Sequence, residues 1–95
     1  WNMVKQARCS HILVKDKYEA IELKKQIENG ADFAEIAKKK SKCPSGKKGG
    51  DLGWFGKGVM VKEFEEASFN GKVGDLIGPV QTQFGWHLIL VTGQK

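Results

Sequence analysis

Shortages describe this 95-residue chain before any motif does. It holds two cysteines, too few for the disulfide framework of a small secreted module. A single arginine, Arg8, stands among 16 basic residues, which argues against sequence-specific reading of nucleic-acid bases. No apolar run approaches the roughly 18 residues that a membrane span needs. The opening residues lack the charged-then-apolar pattern of a signal segment. No internal repeat, linker or low-complexity tract divides the chain. A membrane span, a cysteine-knit module and a multidomain enzyme are excluded, and one small domain over residues 1–95 is expected.

What is present suits a folded domain. At 40% hydrophobic and 28% charged, the composition is that of an ordinary globular protein and not of a disordered one. The net charge of +5 is unevenly spread: residues 1–48 carry 12 basic against 6 acidic groups, residues 49–95 carry 4 against 5. Lys38, Lys39, Lys40, Lys42, Lys47 and Lys48 form a stretch without an acid. Such a run makes contact with acidic partners or nucleic acid conceivable through its field, although a solvated surface is the commoner outcome. Two unpaired cysteines point toward a reducing, cytoplasmic setting. A chain that opens on Trp1 also fits a domain cut from a longer protein.

Periodicity then supplies the elements. Ala7–Val14 alternates as a strand, with Cys9, His11 and Leu13 on one face and Ser10, Ile12 and Val14 on the other. Asp16 and Glu19, then Asp32 and Glu35, have the spacing of helix-opening capping boxes. Asn29-Gly30 stops the first helix, and the second runs into the lysines. Cys43 to Gly58 holds six of the 12 glycines and reads as loop, with a short strand at Asp51–Phe55. A third helix fits Val61–Ser68. Gly78-Pro79 marks a turn before an edge strand at Val80–Thr82, and Trp86–Thr92 is the strongest strand pattern. The order β-α-α-β-α-β-β predicts an α+β fold, with helices packed on a mostly antiparallel sheet.

Cys9, His11, Cys43 and His87 are the groups able to react or to ligate. They lack the paired spacings of a zinc site, so no metal is expected. Cys43 has no cysteine-hydrolase signature around it and little room for a cleft. The glycine-rich loop fails as a phosphate cradle, because Gly58 follows Lys57 and Asp51 stands where the motif opens on glycine. Taken singly, each histidine suits a buried structural role. Together, on two strands with Leu13 and Ile89 two residues on, they would face one another if those strands are neighbours.

Several strings, in order and over about 7–93, carry a resemblance. They are Ser10-His11-Ile12-Leu13-Val14, Ser41-Lys42-Cys43-Pro44-Ser45-Gly46, Gly49-Gly50-Asp51-Leu52-Gly53-Trp54-Phe55 and Gly58-Val59-Met60-Val61. Phe64-Glu65-Glu66-Ala67-Ser68-Phe69, Gly78-Pro79-Val80 and Thr82-Gln83-Phe84-Gly85-Trp86-His87 complete the set. The chain resembles a parvulin-type peptidyl-prolyl cis/trans isomerase. That resemblance implies a four-stranded sheet wrapped by three to four helices, and a catalytic group of His11, Cys43, His87 and Thr82. It implies substrate binding by Leu13, Leu52, Met60, Phe64 and Phe84. No cofactor is implied, and the partners are proline-containing segments of peptides and unfolded proteins, met by a monomer. The family's phosphate-directed members have a longer basic loop after the first strand. Here Val14-Lys15-Asp16-Lys17-Tyr18 leads straight into the helix, so no dependence on phosphorylated residues before proline is expected, and an apolar residue there should serve better than phosphoserine. A module that holds unfolded segments with little isomerase activity is the alternative.

Overall fold

The computed structural model describes residues 4–95. Its elements are β1 (Gln6–Val14), α1 (Lys17–Glu28), α2 (Phe33–Lys40), a 3-10 turn (Pro44–Lys48), β2 (Asp51–Gly56), α3 (Lys62–Asn70), β3 (Leu76–Thr82) and β4 (Gly85–Gln94). The strands form one four-stranded sheet in the order β2-β1-β4-β3, and every neighbouring pair is antiparallel. The expected α+β class and element order are thus adopted. The sheet is wholly antiparallel, not mostly so, and three α-helices cover it.

The local chemistry acts where the sequence places it. Asp16 accepts from the Tyr18 amide at 3.0 Å and Asp32 from the Glu35 amide at 3.2 Å, each opening its helix. Alternation along β1 and β4 then divides the interior in two. Ile12, Val14 and Leu88 pack against Ala20 and Leu23 of α1 and Phe33 and Ala37 of α2. Ala7, Cys9 and Ile89 pack with Phe55 of β2 and Phe64 and Phe69 of α3.

Several strand ends shift by one or two residues from expectation, and three further differences have a structural reason. β3 begins at Leu76 and not at Val80, because Gly78-Pro79 is a bulge inside the strand. Ile77 pairs with Ile89 and Val80 with His87, so β3 takes three steps where β4 takes two. A Cβ on Gly78, whose φ is 136°, would lie 2.6 Å from the His87 carbonyl oxygen, so this close approach requires glycine. Proline is tolerated beside it because β3 is an edge strand. α3 starts at Lys62, with Val61 as its cap residue, and continues past Ser68 so that Phe69 is buried. The segment expected to be plain loop contains the 3-10 turn. Gly50, at φ 89°, lets that turn lie on β1: the His11 amide donates to the Gly50 carbonyl at 2.9 Å, and a side chain there would collide with the His11 carbonyl.

At the far end of the ladder, the amides of Lys5 and Gln6 both donate to the Lys95 carbonyl at 2.8 Å, and the Lys95 amide donates to Gln6 at 2.9 Å.

Candidate active site

β1 and β4 are the two central strands, and their register pairs His11 with Ile89 and Leu13 with His87. The two imidazoles therefore meet diagonally on one face of the sheet. Their rings stack with centroids 5.2 Å apart and planes 15° from parallel, and the two Nδ1 atoms lie 3.0 Å apart. Both side chains are buried. Burial, and then the neighbouring His87, lower the His11 pKa to about 4; burial alone lowers that of His87. Both rings are neutral at pH 7.

Neutrality gives the pair a direction. One Nδ1 must carry the hydrogen and the other must accept it, so the two outer Nε2 atoms have opposite roles. His87 Nε2 is 2.7 Å from Thr82 Oγ1, and His11 Nε2 is 3.0 Å from Ser45 Oγ. Ser45 Oγ in turn lies 3.3 Å from Cys43 Sγ. A single chain results: Thr82, His87, His11, Ser45, Cys43. In one polarity Thr82 donates inward and Ser45 points its hydrogen at the sulfur; in the other, Ser45 donates to His11 and His87 donates to Thr82. The Phe84 amide also donates to Thr82 Oγ1, at 3.2 Å, which anchors that end.

Two devices fix the surroundings. Phe64 presses edge-on against both imidazoles, at 5.4 Å to His11 and 5.8 Å to His87. Ser41 ties the Cys43 loop to β1, because its Oγ accepts from the Leu13 amide at 3.1 Å and the Cys43 amide at 3.4 Å. The Lys42 amide donates to the Leu13 carbonyl at 2.7 Å.

Above the histidines opens a cavity of about 450 Å³, in the range of small-ligand sites. Eight of the nine residues expected at the site line it: His11, Leu13, Cys43, Leu52, Met60, Phe64, Phe84 and His87. Thr82 sits outside the lining and reaches it through His87. Sequence reasoning missed Ser45, the link between Cys43 and His11, although it lies within a string that carried the resemblance. A proline at the first position of a short helix, with Cys43 just before it and Ser45 just after, was the available signal. It also missed Lys42, Pro44, Val59 and Val61 on the wall. Among the described residues no cluster of His, Cys, Asp and Glu is arranged to hold a metal.

This geometry has known counterparts. The model of the PPIC-type PPIase domain matches residues 2–95. The chain belongs to the parvulin family of peptidyl-prolyl isomerases. The foldase protein PrsA of Geobacillus kaustophilus is 50% identical to this parvulin domain over 95 residues, covering 99% of it and 34% of the foldase. The crystal structure of the peptidylprolyl isomerase PrsA from Bacillus anthracis superposes with a TM-score of 0.94 at 45% identity, over 99% of this chain and 44% of that one. The solution structure of NmPin, the parvulin of Nitrosopumilus maritimus, gives 0.84 at 41% identity, over 94% and 97%. The domain spans about a third of the length of the curated foldases it matches.

Proposed function

We propose that this domain rotates Xaa-Pro bonds without a covalent intermediate, in the pocket above the histidine pair. One observation carries the reading: apolar walls of Leu52, Met60 and Phe64 stand beside a buried hydrogen-bonded chain that ends on Cys43. Amide rotation faces a barrier of about 18–20 kcal/mol because the transition state loses C–N resonance. Unaided, it takes roughly tens to hundreds of seconds at proline. A catalyst must grip the ring, exclude water and bind the twisted bond more strongly than either planar form. No cofactor is required for that. The thioether of Met60 and the face of Phe64 suit a pyrrolidine ring, with Leu13 and Phe84 flanking it. In this reading Cys43 is the catalytic residue, offering a polar contact beside the rotating amide. His11, His87 and Thr82 act through Ser45 as positioning residues.

Proline-containing segments of unfolded proteins are the proposed substrates, in keeping with the foldase names of the relatives. The link between β1 and α1 is two residues long, and one of them is Asp16, so no phosphate is needed for recognition. Acidic segments are the proposed partners of the lysines from Lys38 to Lys48. Nucleic acid fits less well, since the lone Arg8 is held by Asp51 at 2.6 Å. Exchange NMR on an Ala-Pro tetrapeptide tests the activity: the domain should accelerate cis/trans exchange, and no acceleration for any Xaa-Pro peptide overturns the reading. A holding role gains support from the pocket's rim, where Val59 is 67% and Phe84 62% exposed. It would show as aggregation suppression that survives loss of exchange activity.

A further inference from the structure

Lys42 is the only Lys, Arg, Asp or Glu on the pocket wall. Every other lining residue is apolar, a thiol or a buried neutral imidazole. Among the described residues no carboxylate is within ion-pair distance of it. The ion pairs among the described residues are Arg8–Asp51, Lys38–Glu35 and Lys62–Glu66, and none includes Lys42.

Its backbone is also fixed. The Lys42 amide is bonded to Leu13 on β1, and Ser41 Oγ bridges Leu13 to Cys43 on either side of it. The ammonium thus swings from an anchored Cα at the mouth of the pocket, one residue from Cys43. The surrounding lysines supply a field of the same sign. An apolar cavity with one unpaired cation at its edge complements a proline with one anionic neighbour.

We propose that Lys42 is a specificity residue that selects substrates with a carboxylate side chain adjacent to the proline. The inference rests on the isomerase reading above and names the substrate class for that site. A carboxylate suits a single ammonium. A phosphate dianion is better met by a planar guanidinium fork or by several cations held together, which the short β1–α1 link does not provide. An exposed pair of this kind is modest in strength and screened by salt.

The test uses three peptides of equal length, Ala-Ala-Pro-Ala, Ala-Glu-Pro-Ala and Ala-Ala-Pro-Glu, with capped ends. Exchange NMR gives kcat/KM, and chemical-shift titration gives Kd for each. One of the two Glu peptides should exceed the Ala peptide by about threefold to fivefold at low salt, the size of an exposed ion pair. Lys42→Gln should bring that ratio to near one, Lys42→Glu should invert it, and Lys42→Arg should keep it. Raising the salt to about 1 M, where the Debye length is about 3 Å, should also flatten it. A ratio near one for both Glu peptides overturns the proposal. So does a ratio that Lys42→Gln leaves intact and Lys47→Gln/Lys48→Gln removes, because the wider lysine field would then be the cause. If no peptide is isomerised, the isomerase reading fails by itself, and the Kd ratios still decide the role of Lys42.

Discussion

The two faces of the sheet are built from the same two central strands, residue by alternate residue, yet they differ in kind. Under α1 and α2 lie Ile12, Val14 and Leu88, in a cluster of apolar side chains. On the other side, Cys9, His11, His87 and Ile89 meet α3, and polar groups thread the core from Thr82 to Cys43. The first face carries one buried polar side chain, Ser10, and otherwise needs only volume. The second must satisfy every buried polar atom, and it does: no buried side-chain nitrogen or oxygen of the described residues lacks a hydrogen bond. A one-residue alternation thus lets a small domain keep packing and chemistry apart without a second domain to hold the site. The two cysteines repeat the contrast. Cys9 is buried beside Ser68, and burial pushes its thiol up to about 11, leaving it inert. Cys43 stands at the cavity.

This division is breakable by experiment. The largest effect belongs to the hydrocarbon face. Leu88→Ala, at a fully buried position, should cost about 2–5 kcal/mol in urea unfolding while the folded fraction keeps its kcat/KM. A comparable loss of activity per folded molecule would show that the faces are not separate.

Next comes acid, which should act mainly through the polar face. Between the ordinary histidine pKa near 6.5 and the folded value near 4, the unfolded chain binds more protons at His11 than the folded one does. Stability therefore rises with pH across that window and is lost as pH falls through it, by about 3 kcal/mol in all. Urea unfolding at pH 7.5 and pH 4 measures this. Leu88→Ala should show the same pH-dependent loss, since its lesion lies on the other face.

His87→Ala should cost about 1–3 kcal/mol, because His11 and Thr82 are left short of a partner, and it should lower isomerase rate and melting temperature together. A stable but inactive variant would assign His87 a direct part in the chemistry. The smallest stability change is expected at Cys43. Cys43→Ala should stay within about 0.5 kcal/mol of the parent and still turn over more slowly. Cys43→Asp should keep appreciable activity, whereas a folded and dead Cys43→Asp would favour a covalent nucleophile.

Much of this was legible in the sequence, for reasons that differ by element. The strands at His11 and His87 and the helices after Asp16 and Asp32 follow local rules, alternation and capping, that need no knowledge of the rest of the chain. That β1 and β4 are neighbours is a non-local fact. Periodicity put each histidine on a face, and only the family resemblance implied that they meet. The misses share a cause. Gly78-Pro79 has the composition of a turn, but the space beside the His87 carbonyl makes it a bulge, and the strand continues to either side. The 3-10 turn at Pro44–Lys48 is too short to show a period, and it is held by contact with β1 at His11 and Gly50. Ser45 was hidden with it. Lys42 was read as one of a run of surface lysines, and the fold makes it part of the pocket wall.

The pairing of Lys5 and Gln6 with Lys95 has a mechanical consequence. Two antiparallel neighbours leave the sheet at the same end, so tension applied to both ends of the chain would load their ladder as a zipper and not in shear. The bonds would open one after another, from Gln6–Lys95 through Ala7–Gln94 and Cys9–Val91, before the strain reached His11 and His87. Under such a pull the foundation of the pocket would peel away early, while the helices were still in place. A tether attached at these two ends would act as a release for the site at low force.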